Sequence, residues 1–143
     1  MGFLAPTASA RGVRLTSSEG ALLRVINSVR AQSGLARLRP DAHLERAARA
    51  HSTDMLRRGY FDHGDFAARM SRFGCRGPYL GENLAWGTGR LGPAEVVRMW
   101  LASPGHRANL LHPGLRRLGV ATPTGSFEGY GVSTVVTADF AGS

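Results

Sequence analysis

The chain contains no lysine: all 18 of its basic residues are arginine, set against 10 acidic residues for a formal net charge of +8. Such a one-sided choice reads as biased codon usage, so the basicity by itself carries little functional message. It still favours anionic partners such as phospholipid head groups, cell-wall polymers or nucleic acid. Nucleic acid is the poorest of these, because the arginines are scattered and are not interleaved with aromatics as a single-strand groove requires. Cysteine is nearly absent too. Cys75 stands alone, which excludes an internal disulfide and leaves stability to packing. It reads as a small semi-buried residue, with no neighbouring base to make it a nucleophile. No run approaches the roughly 20 apolar residues that span a bilayer, which excludes a transmembrane helix in this sequence.

A length of 143 residues fits one domain, burying roughly 70% of the unfolded surface without staples. Residues 1–15 read as a leader and 16–143 as the domain. The leader's Phe3-Leu4-Ala5-Pro6-Thr7-Ala8-Ser9-Ala10 ends in the Ala-x-Ala pattern that precedes signal cleavage, although it lacks a charged opening. Export is the expectation.

Thr16-Ser17-Ser18-Glu19 has capping-box spacing and opens a helix with Leu22, Val25, Ile26 and Val29 on one face, ending before Gly34. Pro40-Asp41 starts a second helix with a stripe of Leu44, Ala47, Ala48, His51 and Met55, capped by Gly59. Residues 66–73 form a short helical piece, and 79–86 an extended or irregular segment. Gly92-Pro93 starts another helix, whose apolar face includes Val96, Val97, Trp100 and Leu101 and which Ser103-Pro104-Gly105 ends. A turn of helix spans 107–111. Residues 118–122 and 130–137 then predict a β-hairpin with a longer loop. Helices first and paired strands last give an α+β domain.

Three segments carry the chemistry: Gly59-Tyr60-Phe61-Asp62-His63, Gly81-Glu82-Asn83-Leu84-Ala85 and Trp100-Leu101-Ala102-Ser103-Pro104-Gly105-His106-Arg107. In that order, and flanked by Val25-Ile26-Asn27-Ser28-Val29-Arg30, Ala50-His51-Ser52-Thr53-Asp54-Met55, Asn109-Leu110-Leu111, Leu118-Gly119-Val120 and Asp139-Phe140, they resemble the CAP superfamily, whose members include cysteine-rich secretory proteins, venom antigens and plant pathogenesis-related proteins. The likeness is to its bacterial branch and runs from about residue 21 to residue 140. It implies an α-β-α sandwich, with a small antiparallel sheet between helical layers.

The resemblance also implies a cavity lined by two histidines and two acidic residues. His63, Glu82 and His106 match three of these by motif, while the second acidic position holds Ser103. Two neutral imidazoles can bind a divalent metal such as zinc, and a carboxylate beside them can fix a tautomer or a metal-bound water. With serine for the fourth group, a metal on His63 and His106 is expected to be weak and exchangeable. His51 lies on an apolar stripe and reads first as a core histidine, with a place at the cavity wall as the alternative. Asn83 and Arg107 are expected to hold the cavity loops through backbone hydrogen bonds, and Trp86 and Trp100 to be core aromatics. The structural alternatives are plain: His63 bonding a backbone carbonyl, Glu82 bracing a turn, His106 covering helix-end carbonyls.

Three functions compete. One is a secreted binding module with a metal-accepting cavity and a lipid-sized groove, since the resemblance implies lipid or sterol binding without fixing the ligand. Another is a hydrolase using Glu82 or a metal-bound water as base, with His63 and His106 as partners. Against it, the sequence has neither a nucleophile elbow nor a His-Glu-x-x-His helix. The third is a cell-envelope interaction protein whose cavity is vestigial and whose surface arginines bind. The binding module is the favoured reading.

Overall fold

In the computed structural model, which describes residues 12–143, the helices begin where the local chemistry dictates. The first, α1 (Ser17–Gln32), opens on a reciprocal capping box: the Glu19 N–H donates to Thr16 Oγ1 at 3.1 Å and Glu19 Oε2 accepts from the Thr16 N–H at 2.8 Å. After a two-residue strand, β1 (Arg39–Pro40), α2 (Ala42–Arg58) is capped by the Asp41 carboxylate and closed by Gly59 in the left-handed conformation, φ 65°. α3 (Phe66–Arg72) is capped by Asp65.

The segment beginning at Tyr79 is a full strand, β2 (Leu80–Thr88). α4 (Pro93–Leu101) carries proline in its first turn. Ser103-Pro104-Gly105 does not merely end that helix. Ser103 is the N-cap of a further one, α5 (Pro104–Leu110), so His106 sits in a first helical turn and not beyond a helix end. β3 (Leu115–Ala121) and β5 (Val132–Gly142) form the hairpin, with β4 (Thr124–Ser126) paired to β5 inside its long loop. The leader expectation falls largely on residues 1–11, outside the described residues.

The sheet runs β1-β3-β5-β2 with β4 also on β5, and all pairings are antiparallel except the short β1–β3 bridge. Strand alternation then divides the molecule into layers. Phe140, Ala138 and Val136 of β5 face α1, α4 and α5, in a core with Leu22, Ile26, Trp100 and Leu110. The alternate residues face α2 and α3: Ala141 packs with Leu44, Ala47 and Met70, and Val135 with Met55, Leu84 and Phe127. The result is an α-β-α sandwich.

Two contacts fix the layer spacing. Gly119 lies under α2 so closely that a Cβ there would meet the Leu44 carbonyl carbon at 2.1 Å. On the other side, Arg30 is fully buried. Its guanidinium donates to the carbonyls of Ala36, Leu110, His112 and Leu115, tying the loop after α1 to the end of α5 and the start of β3.

Candidate functional site

The site is built on β2, whose alternation sends successive residues to opposite layers. Glu82 points into the α2–α3 layer and Asn83 into the α5 layer. On the first side, the loop after α2 brings His63 Nδ1 within 2.7 Å of Glu82 Oε1. Arg69 of α3 donates from Nη2 to Glu82 Oε2 and from Nη1 to the His63 carbonyl at 3.0 Å. The glutamate is therefore a buried acceptor with an ion pair on one oxygen and an imidazole on the other. Because a carboxylate accepts, His63 donates from Nδ1, and its Nε2 lone pair is left for an outside group. The Glu82 side chain is only 2% exposed, whereas that of His63 is 52% exposed, so the pair runs from core to solvent.

His51 of α2 closes the same cluster from beneath. It is buried, with Nε2 donating to the Asp62 carbonyl at 2.8 Å and lying 3.9 Å from Glu82 Oε1. Burial lowers its pKa; the Glu82 charge opposes that shift and Arg69 adds to it. Its hydrogen bond pins the loop that carries His63.

On the opposite side, Asn83 donates from Nδ2 to the His106 carbonyl at 2.9 Å and accepts on Oδ1 from Asn109. Asn109 also donates to the Glu82 carbonyl at 3.1 Å and accepts from the Tyr79 hydroxyl at 2.6 Å. These two asparagines latch α5 to β2 and so set the position of His106. Arg107 is exposed and takes no such part; Asn109 holds the loop in its place. The His106 imidazole is half-buried. Its pKa is lowered, first by desolvation and then by His63. Ser103 makes no side-chain capping bond at the start of α5.

Thus His63, Glu82 and His51 share one cluster, with Asn83 behind it and His106 and Ser103 on the helix that Asn83 holds. Among the described residues, no three His, Cys, Asp or Glu side chains are grouped so that they could hold a metal ion. A cleft of about 770 Å³ opens between α2 and α3, lined by His51, Asp54, Arg58, Asp62, Arg69 and Arg72 among others. It shares His51 and Arg69 with the cluster, but neither His63 nor Glu82 lines it. Its walls mix these acidic and basic side chains with apolar ones, Ala50, Tyr60, Ala68 and Phe73.

Two members of the cluster were not legible as site residues. Arg69 sits in a short helix where an arginine reads as a solvated charge. Asp139, paired across the strands with Glu82, is fully buried, and neither of its oxygens has a hydrogen-bond partner among the described residues. Only strand parity could have pointed to it. Of the aromatics, Trp100 is core and donates to the Leu84 carbonyl, while Trp86 is only half-buried, edge-on to Phe127 beside the exposed Tyr130.

Comparison with known proteins agrees with this architecture. The protein YkwD of Bacillus subtilis, uncharacterized, is 37% identical over 111 residues, covering 74% of this chain and 42% of that protein. The uncharacterized membrane protein YlbC of the same organism is 36% identical over 110 residues, covering 73% of this chain and 31% of its own length. The chain therefore spans less than half the length of these curated relatives. An extracellular protein containing an SCP domain from Bacillus anthracis superposes with a TM-score of 0.71 at 25% identity, over 92% of this chain and 45% of that one. An outer surface protein of Borrelia burgdorferi shares the fold, with a TM-score of 0.72 at 21% identity, over 92% of this chain and 99% of that one. No helix of the described residues is long and apolar enough to cross a membrane. The family model for CAP, the cysteine-rich secretory protein family, matches residues 23–140, and the chain belongs to that family.

Proposed function

We propose that this chain is a secreted binding module that faces a cell envelope, with an open, exchangeable site for a divalent transition metal such as zinc on His63 and His106. The observation that carries the reading is the 2.7 Å bond between His63 Nδ1 and Glu82 Oε1. It fixes the tautomer that leaves Nε2 free, which is the usual way a carboxylate prepares an imidazole for a metal. Glu82 acts as the orienting carboxylate and not as a ligand, since both of its oxygens are engaged. Arg69 beside it adds a positive charge that weakens cation binding, and Ser103 supplies no anionic fourth donor. The setting is supported by the structural relatives, which include an extracellular protein and an outer surface protein.

A hydrolase has less support. Burial pushes the Cys75 thiol up to about 11, which leaves it inert near neutral pH. Ser103 stands at a helix start without a side-chain bond there, and nothing marks it as activated.

Calorimetric titration with Zn²⁺ tests the proposal. The wild type should give a saturable heat that His63→Ala and His106→Ala each abolish while circular dichroism stays unchanged. A wild type that gives no heat would overturn the metal reading.

A further inference from the structure

Asp139 lies directly opposite Glu82 in the β2–β5 register, so their side chains share one face of the sheet. That face is sealed by α2, whose backbone sits on Gly119, the β3 residue paired with Asp139 on its other side. Asp139 is 0% exposed, and no N–H or O–H among the described residues donates to either oxygen. Its neighbour is in the reverse position: Glu82 accepts from His63 and from Arg69. Two buried carboxyl groups meet here, one with two donors and one with none.

Charge counting decides the protonation. The groups around this carboxyl pair are Glu82 of β2, Glu45 and His51 of α2, His63 of the loop after α2, Arg69 of α3 and, more distantly, Cys75, with burial disfavouring the charged form of His51. Glu45 is already matched by Arg49 and by the Val120 N–H. With Glu82 ionised, Arg69 balances it. Ionising Asp139 as well would leave one buried negative charge without a partner, which costs several kcal/mol. One proton between the carboxyls removes that charge, and it belongs on the carboxyl that lacks donors.

We propose that Asp139 is held as the neutral acid and donates its O–H to the Glu82 carboxylate, as a positioning residue for the His63–Glu82 pair. Glu82 then accepts from Asp139, Arg69 and His63 together, and its rotamer and the His63 tautomer are fixed from the core outward. The pKa of Asp139 is accordingly raised well above the ordinary carboxylate range, by burial first and by Glu82 next. Its consequence for metal affinity rests on the reading proposed above, whereas its protonation requires no metal, so the two can fail separately.

The sign of the linkage gives the test. A folded state that retains the Asp139 proton loses stability relative to the unfolded chain as pH rises above the unfolded value of 3.8. Asp139→Asn keeps a neutral donor and removes that dependence. In urea unfolding of the metal-free protein, the variant's folded-to-unfolded ratio should gain on the wild type about tenfold per pH unit from about pH 4.5 upward. A pH-independent difference would overturn the proposal. Infrared spectra of the wild type provide a check that needs no variant. At pH 7 a neutral carboxyl stretch should be present and should shift on ¹³C-aspartate labelling, since Asp139 is the buried aspartate among the described residues. Absence of an aspartate-sensitive band would sink the idea. Nitrogen NMR separates positioning from simple packing: His63 should remain the Nδ1–H tautomer in Asp139→Asn and lose that fixed tautomer in Asp139→Ala. Retention in both would show that Asp139 does not position the pair.

Discussion

His51 is the residue on which the geometry of His63 depends, although it is itself buried. Its Nε2–H bond to the Asp62 carbonyl ties the loop to α2 one residue before His63. His51→Ala removes that donor and leaves the Asp62 carbonyl without it, so a loss of about 1–3 kcal/mol is expected in urea denaturation. Zinc affinity should fall in the same variant. The pH dependence has a definite sign. Burial keeps His51 and His106 neutral in the folded state below the ordinary 6.5, while the unfolded chain takes up protons there. Their contribution to stability is present above about pH 6.5 and is lost as pH falls below it. Comparing urea midpoints at about pH 7.5 and pH 5.5 should show a smaller acid loss for His51→Ala than for the wild type. An equal acid loss in both would remove His51 from this account. From sequence, His51 could be placed on a buried stripe but not beside Glu82, because that proximity is set by the loop path and not by any spacing.

At the level of elements, the legible features were those encoded locally. The capping box at Thr16, the left-handed Gly59 and the proline opening α4 are short-range signals, and each marks a real helix boundary. Less legible was anything requiring a register. β2 read as extended or irregular because Glu82 and Asn83 interrupt its apolar pattern, yet both are buried through partners on other elements. Ser103-Pro104 read as a stop, whereas serine followed by proline is also how a helix begins. Gly119 is the sharpest case: nothing in Leu118-Gly119-Val120 announces that α2 rests on it. Gly119→Ala would place a methyl into the Leu44 backbone, where no side chain can swing away, and should cost about 3 kcal/mol or more. Thr16→Ala, which only removes a cap, should cost about 1 kcal/mol. Chemical denaturation of the two variants orders them, and a Gly119→Ala protein as stable as Thr16→Ala would show that α2 can lift without penalty.

Taken as one body, the molecule separates a site that is nearly balanced in charge from a surface that is not. Around Glu82 the arginine and the carboxylates cancel, while Arg37, Arg57, Arg72, Arg76, Arg98 and Arg107 stand exposed on several elements. A net charge of +8 spread in this way acts as a field and not as a pocket. It attracts anionic surfaces regardless of what His63 and His106 hold. Such attraction is screened by salt, the Debye length falling from about 10 Å at 0.1 M to about 3 Å at 1 M. Sedimentation with vesicles rich in phosphatidylserine should therefore show binding at 0.1 M salt that is lost at 1 M. His63→Ala should bind as well as the wild type, and reversing Arg37, Arg76 and Arg107 to glutamate should weaken binding at low salt. Binding that survives 1 M salt, or that disappears in His63→Ala, would instead assign the envelope contact to the cavity side of the molecule.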